Sequence, residues 1–244
     1  VDPKTGKQVG PRTGEFAEFR TFEELLRAFK EQMKYFMEKH AEFNNVFHET
    51  FAELYPLPFA SSIMSDGIKA GKDMLKRKLV FPNGSVMNAV GMINVADSLA
   101  AVKKLVFDEQ KVAIPELKAC LDANWQGNGY PELRKRFLAA PKYGNHEEYV
   151  DLIARDLYTF WCDTAGNLDA LHNSKQVPSA ISIAAQWPGG EETGATPDGR
   201  CAGDCLADGT MSAMRGMDRN GPTALILSAS TIDQLPISTT LMNM

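Results

Sequence analysis

Residues 194–224 are rich in glycine and contain several charged side chains and two prolines. Within this segment Asp198 and Arg200 are two residues apart, and Asp204 and Asp208 follow at intervals of four residues. A guanidinium among carboxylates at this spacing predicts an ion-pair network that holds a loop together. The alternative is that Arg200 binds a substrate carboxylate, because its planar fork of donors suits that geometry. The spacing favours the structural role.

Other residue types capable of chemistry lack the spacing of a known site. Glu191 and Glu192 are paired carboxylates, which do acid–base work when burial separates their pKa values, but beside two glycines a solvated pair is favoured. Cys201 and Cys205 have no second cysteine or histidine pair at a matching spacing, so the sequence predicts no metal site. The histidines without triad or metal spacing are His40, His48, His146 and His172, and the cysteines, whose scatter is typical of reduced thiols, are Cys120, Cys162, Cys201 and Cys205.

The composition is that of an ordinary globular protein, with 44% hydrophobic and 23% charged residues. The net charge of -5 argues against a nucleic-acid partner, because phosphate binding needs a basic surface. No segment approaches the ~20 consecutive apolar residues of a membrane helix, and no secretory signal is visible, so a cytoplasmic location is predicted. The chain starts at Val1 without methionine and ends on an apolar tail, which indicates an internal piece of a longer protein.

The elements that position these residues are predicted to be mainly helices. Thr21 and Glu24 have the spacing of a capping box. Apolar residues then recur every three or four positions as far as Leu54, which predicts one long helix with a break near Asn44 and Asn45. Its aromatic-rich apolar face is expected to be buried against the rest of the fold, and the alternative is a surface for a cofactor or a partner. Further helices are predicted over residues 61–75, 97–107, 115–124, 131–139 and 146–160.

Three short apolar segments, residues 86–93, 177–187 and 223–230, are predicted as strands. In the second, period-two alternation places Ile181, Ile183 and Ala185 on one face. That face lines a cavity or belongs to the core, and the pattern alone leaves both open. Helices that alternate with short buried strands predict an α/β fold.

Residues 91–101 form a predicted junction between a strand and a helix. Asn94 or Asp97 is expected to cap the helix start, because a free helix start needs a hydrogen-bond acceptor. A substrate carboxylate at the same amides is the alternative.

Four blocks of sequence, in family order, resemble the glycyl radical enzymes related to pyruvate formate-lyase. They are Asp2-Pro3-Lys4-Thr5-Gly6 with Gly10-Pro11-Arg12-Thr13-Gly14, residues 94–101 with Leu105-Val106-Phe107, Pro141-Lys142-Tyr143-Gly144-Asn145, and residues 194–224. The resemblance implies a ten-stranded α/β barrel of two antiparallel half-barrels surrounded by helices. Residues 1–244 would be an internal portion of one catalytic domain. The structural signature residues are Asp97, Asp198, Arg200 and Asp208.

The resemblance also implies the chemistry of the parent protein. In that family a radical-SAM iron–sulfur activase creates a glycyl radical, which passes to a cysteine whose thiyl radical abstracts hydrogen from a small-molecule substrate. The family's Gly-Cys-x-Glu and Arg-Val-x-Gly-Tyr loops are both absent from this chain. The chain is therefore expected to contain no catalytic residue, to bind no cofactor and to be inactive alone, while the full-length protein is expected to be a homodimeric, anaerobic lyase.

The family's substrate pocket corresponds to residues 86–94 and 179–187. By position, the pocket candidates are Val86, Asn88, Val90, Ile181, Ile183 and Trp187. Because an unpaired buried polar group is costly, a mostly apolar wall favours an aromatic or hydrocarbon substrate, as for fumarate-adding succinate synthases or arylacetate decarboxylases. The alternatives are a polyol or amino-alcohol dehydratase or lyase, and a non-catalytic binding or scaffold protein that keeps the barrel walls. The chain departs from the family pattern at residues 76–84, beside the pocket, and at His146.

Overall fold

Helices carry most of the fold. The computed structural model describes residues 5–76, 85–127 and 129–244. The α-helices are α1 Phe22–Leu54, α2 Pro58–Ser62, α3 Ser65–Ala70, α4 Met92–Val102, α5 Ile114–Asp122, α6 Tyr130–Leu138, α7 Glu148–Asn167, α8 Gln186–Glu191 and α9 Pro222–Ser230. Turns of 3-10 helix lie at Phe16–Glu18, Met74–Lys76 and Leu171–Asn173, and a π-helical segment, Lys103–Asp108, continues α4.

The long helix α1 begins at the predicted capping box. The Thr21 hydroxyl accepts a hydrogen bond from the Glu24 amide at 3.2 Å, and the Glu24 carboxylate accepts from the amides of Thr21 and Arg20. The helix then runs unbroken to Leu54, so the predicted break at residues 44–45 is wrong. Both asparagines keep helical backbone hydrogen bonding, and the side-chain Nδ2 of Asn45 also donates to the Asp169 carbonyl.

Only the first part of α1 buries its apolar face. Phe22, Met37 and Ala41 belong to the main core, beside α4 and α7. The aromatic residues from Phe43 onward are exposed. The prediction of a fully buried apolar face is therefore wrong for the second half of α1.

The centre of the fold is the contact between α4 and α7. Ala96 and Ala100 of α4 and Ala154 of α7 are fully buried, and their small side chains let the two helices approach closely. A second cluster lies beyond α4, where the ring of Trp125 packs 5.4 Å from that of Phe137. Residues from both clusters lie along α4 and its continuation, so this helical element joins the two parts of the core.

Two short strands build a parallel wall beside this core. Strand β1, Val86–Asn88, pairs in parallel with β4, Val177–Ser179, and Ala180 forms a parallel bridge to Thr240. The antiparallel pair of β2, Asp169–Ala170, and β3, Ser174–Lys175, lies apart from the wall.

Two of the predicted strands need correction. The strand predicted over 177–187 ends at Ser179, and only its last two residues belong to a helix, α8, which begins at Gln186. The segment predicted as strand 223–230 is helix α9, which starts after Gly221 with Pro222 in its first turn. A short continuous apolar run does not by itself distinguish a buried strand from a buried helix. In α9 the buried residues Leu225, Ser228 and Ala229 have helical spacing.

Other predicted boundaries shift. The strand predicted over 86–93 is only three residues long, and α4 begins at Met92 rather than at Asp97. The helix predicted over 61–75 is divided into α2, α3 and a 3-10 turn, and α3 ends at Gly71, whose φ is 61°. The helices predicted at 115–124 and 131–139 are confirmed, and that predicted at 146–160 starts later and extends to Asn167. The turn predicted at 81–85 and the departure from the family pattern at 76–84 fall mostly on residues 77–84, which lie outside the described residues.

Candidate functional site

The loop that follows α8 is held by the buried guanidinium of Arg200. Its Nε donates to the Thr196 hydroxyl at 3.2 Å, and its two Nη atoms donate to backbone carbonyls. The carbonyl partners are Thr193, Gly194, Cys201 and Asp204, with Gly190 at the 3.5 Å limit. All five N–H groups are thus directed at the chain's own oxygens.

This geometry bears on both predictions for Arg200, a structural role through ion pairs and the binding of a substrate carboxylate. Arg200 does hold the loop, but in the described part of the chain its guanidinium binds carbonyl and hydroxyl oxygens instead of forming the predicted ion pairs. A substrate carboxylate would find no free donor on Arg200, because an arginine has five N–H groups and all are engaged.

Asp198 connects the same loop to α4. Its carboxylate accepts hydrogen bonds from the Arg200 amide at 3.1 Å and from the Asn94 side chain at 2.7 Å. The Asn94 carbonyl oxygen in turn accepts from the Ala207 amide at 2.7 Å. The prediction that Asn94 caps a helix start is wrong, because it lies inside α4 and holds two points of the loop.

Asp97, also predicted as a cap, lies one turn further along α4 and is fully buried. One carboxylate oxygen accepts the Tyr143 amide at 2.8 Å, and the other has no hydrogen-bond partner among the described residues. Burial raises the pKa of Asp97 to about 8. Nearby, the buried Lys142 ammonium donates to the Phe137 carbonyl at 2.7 Å, and burial lowers its pKa.

A second polar connection joins the segment after Tyr143 to α9. The Asn145 side chain accepts from the amides of Arg219 and Asn220 and donates to the Met217 carbonyl at 2.7 Å. The Ser228 hydroxyl donates to the buried carboxylate of Asp151 at 3.0 Å. Burial raises the pKa of Asp151 to about 6.

A cleft of about 790 Å³ is lined by several residues of these connections, among them Asp97, Asp198 and Arg200. Of the six pocket candidates and four signature residues, five line it, whereas the other five, Val86, Asn88, Val90, Ile181 and Ile183, are not among its lining residues. Those lining it are Asp97, Trp187, Asp198, Arg200 and Asp208. The Asp208 carboxylate accepts from the Asn243 side chain at 2.8 Å, so it connects the loop to the last residues of the chain.

The pocket candidates on β1 and two residues after it share one exposed face. Val86, Asn88 and Val90 are exposed, whereas the intervening Met87 and Ala89 are buried, as alternation along an extended segment requires. In the predicted second strand the alternation is wrong, because the chain leaves the extended conformation after Ala180.

The other pocket candidates therefore have different surroundings. Ile183 has a φ of 35° and is 78% exposed, while Ile181 is half-buried. Trp187 lies exposed on α8, with its indole N–H 3.2 Å from the Glu191 carboxylate. Glu191 and Glu192 are both exposed, as predicted.

Four free cysteines complete the reactive residues. Cys120 and Cys162 are buried, and burial raises the pKa of Cys162 to about 11, which keeps it a thiol. Cys201 and Cys205 are half-buried in the loop. Across residues 5–76, 85–127 and 129–244, no cluster of three or more His, Cys, Asp or Glu side chains has the arrangement of a metal site. Nor does any helix there combine the length and hydropathy needed to span a membrane.

A family model described as pyruvate formate lyase-like matches residues 1–190. Trans-4-hydroxy-L-proline dehydratase of Clostridioides difficile is 32% identical over 99% of this chain and 30% of its own length. Indoleacetate decarboxylase of Tractidigestivibacter scatoligenes is 30% identical over 100% of this chain and 30% of its own length. The chain thus spans about a third of these curated relatives.

Solved structures agree with this match. The glycerol-bound B12-independent glycerol dehydratase of Clostridium butyricum is 36% identical, with a TM-score of 0.89 over 98% of this chain and 30% of that one. The hydroxyproline dehydratase of C. difficile is 32% identical, with a TM-score of 0.92 over 99% of this chain and 30% of that one. The predicted fold class, a partial piece of an α/β barrel, is confirmed by these likenesses.

The geometry of Arg200 predicts a large cost for its removal. Arg200→Met keeps the aliphatic stem but leaves several buried carbonyls unpaired, so we expect the free energy of unfolding in urea to fall by more than about 3 kcal/mol. The stability of Arg200→Lys should lie between those of the wild type and Arg200→Met, because an ammonium has only three donors. The matched control is Arg215→Met at an exposed position of the same cleft, expected to change stability by less than about 0.5 kcal/mol. Equal effects at both positions would contradict this assignment.

The buried carboxyls predict that stability falls as pH rises. The pKa values of Asp151 and Asp97 are raised in the folded state, so the stability that their protonated forms contribute is complete below about pH 4. It is lost as pH rises through about 6 for Asp151 and about 8 for Asp97. We expect Asp97→Asn, which resembles the protonated acid, to remove most of the loss between about pH 6 and 8, which is at most roughly 1.4 kcal/mol per pH unit.

The measurement is urea unfolding of wild type and variant at several pH values across that window. Burial lowers the pKa of Lys142, which makes stability rise with pH, so the effect of Asp97 is taken as the difference between variant and wild type at each pH. Asp163→Asn, at an exposed position of α7, is the control and should keep the wild-type slope. An Asp97→Asn slope equal to that of wild type would show that Asp97 is ionised throughout.

Proposed function

This chain belongs to the pyruvate formate lyase-like family of glycyl radical enzymes, and on that premise we propose that it is an internal portion of the catalytic domain of a glycyl radical lyase. The observation that carries the proposal is the superposition of nearly the whole chain on enzymes of which it spans about 30%. The catalytic cysteine and the radical glycine are then supplied by other parts of the same polypeptide. The full-length protein is proposed to be a homodimer that a radical-SAM activase modifies, and its cytoplasmic location stays a prediction.

The residues of this chain build and stabilise the wall around the reaction. In the whole enzyme the glycyl radical supplies, through a thiyl radical, the homolytic removal of a substrate hydrogen atom. The exposed face of β1, with Val86, Asn88 and Val90, is proposed to line the substrate cavity together with Ile183 and Trp187. The wall excludes water from the radical intermediates, and Arg200 holds the loop that carries part of it.

The best-supported reaction is the dehydration of a small hydroxylated substrate. Relatives named as dehydratases of glycerol and of trans-4-hydroxy-L-proline are 36% and 32% identical to this chain. On the proposed wall Asn88 has the side chain that both donates and accepts hydrogen bonds. We propose that it binds a substrate hydroxyl group.

An aromatic substrate is the second candidate. The exposed side chains of Val86, Val90, Ile183 and Trp187 offer an apolar surface. An indoleacetate decarboxylase is 30% identical to this chain, which supports the same class. The predicted preference for aromatic or hydrocarbon substrates thus stays a prediction, as does the alternative of a non-catalytic protein that keeps the barrel walls.

The proposal predicts where a radical forms. We expect the full-length protein, treated anaerobically with its activase, reductant and S-adenosylmethionine, to give a glycyl radical signal in electron paramagnetic resonance and to turn over a small organic substrate. The 244-residue chain under the same conditions should give neither signal nor turnover. A radical or turnover in the isolated chain, or none in an activated full-length protein, would refute the proposal.

The two substrate classes predict opposite patterns in the activated full-length enzyme. For a hydroxylated substrate, Asn88→Ala should lower kcat/KM about 10- to 100-fold, because loss of one hydrogen bond in a buried site costs about 1–3 kcal/mol, while Trp187→Ala has a smaller effect. For an aromatic substrate the order reverses. Asp163→Asn is the control. If neither variant changes kcat/KM, the β1 face is not part of the substrate cavity.

A further inference from the structure

The second half of α1 carries a row of aromatic side chains on its surface. Phe43, Phe47, Phe51 and Tyr55, here called the aromatic ladder, stand four residues apart. Successive ring centroids are 6.2, 5.9 and 5.2 Å apart, and all three pairs are stacked. Phe43 is 66% exposed and Tyr55 is 61% exposed.

The ladder differs from scattered surface apolar residues, because it is continuous. Further exposed apolar side chains occur in the same stretch of sequence, at Leu54, Phe59 and Ile63. Contiguous exposed apolar surface of this kind marks an interaction site in a soluble protein. The first half of the same helix packs its apolar face against the core, whereas the ladder is exposed. We therefore expect another surface to cover the ladder.

We infer that the aromatic ladder packs against an apolar surface in a part of the parent polypeptide that this structure does not contain. The inference rests on the proposal that the chain is a portion of a longer catalytic domain. The match to relatives covers nearly the whole chain, α1 included, but only about 30% of each relative. The unmatched part is long enough to supply the covering surface.

Charge does not point to a partner of opposite sign. On a helix with 3.6 residues per turn, Glu42, Glu49 and Glu53 lie on the side of α1 opposite the ladder, and Glu42 is paired with Lys39 at 2.8 Å. The surface that covers the ladder is therefore expected to be apolar. The size of the unmatched part favours the parent polypeptide as occupant, and a second copy of the chain is the competing outcome that sedimentation tests.

The first test compares one variant in two proteins, the 244-residue chain and the full-length parent. In the chain, Phe47→Glu should reduce the fluorescence of a bound hydrophobic dye and leave Tm unchanged. In the full-length protein the same change should lower Tm by several degrees, because it places a charge in a buried contact. Glu49→Gln, two residues further along the helix and on its opposite side, is the control and should have little effect in either protein.

Cysteine labelling provides a second readout if the full-length variant does not fold. Phe47→Cys should react rapidly with a maleimide in the chain and be protected in the full-length protein. Glu49→Cys and the wild type, with its four native cysteines, give the reference rates. Equal labelling of Phe47→Cys in both proteins, or an unchanged Tm for full-length Phe47→Glu, would overturn the inference. So would a dimer of the chain, seen by sedimentation, that Phe47→Glu abolishes.

The radical signal of the same full-length preparation separates this inference from the proposed function. Protection of Phe47→Cys without a glycyl radical after activation would retain the packing surface and reject the enzymatic role. A glycyl radical with free labelling at that position would retain the enzymatic role and reject the packing surface.

Discussion

The arrangement of this chain depends on polar groups that α4 carries into the core. Asn94 and Asp97 lie on a helix whose other residues are mainly small and apolar, and both are buried. An unpaired polar group in such a place is costly, so each side chain must meet a specific backbone amide. Asn94 meets the amide of Ala207 and Asp97 meets that of Tyr143. Two loops distant in sequence are thereby held against one helix, and the cleft lies between them.

The sequence allowed correct prediction where the signal is local. The capping box at Thr21 and Glu24 is decided by residues three apart, and the helices that start near Pro115 and Pro131 have a proline in their first turn. The segments 177–187 and 223–230 were less predictable, because apolar residues there satisfy both strand and helix periods. Tertiary packing decides between the two, and α9 is helical because Ser228 and its apolar neighbours meet α7.

The sequence singled out the loop around Arg200 but not its bonds, and of the predicted pocket residues only Trp187 lines the cleft. The segment after Gly194 stood out by composition, and the buried positions of Asp198 and Arg200 agree with a structural role. The partners of Arg200 are backbone carbonyls, which every residue possesses, so no side-chain pattern identifies them. Asp151 and the hydrogen bonds of Asn145 gave no signal, because their partners lie more than 70 residues away.

The oxygens that surround Arg200 also bear on the order of folding. All of them come from residues 190–204, so closing this loop around the guanidinium costs little conformational entropy of the chain. The contacts from Asn94 to Asp198 in this segment and to Ala207 just after it span 104 and 113 residues, and their entropic cost of closure is larger. The loop can therefore acquire its shape as an autonomous unit before it docks on α4. Its native form would then be an early, locally encoded feature of the folding pathway.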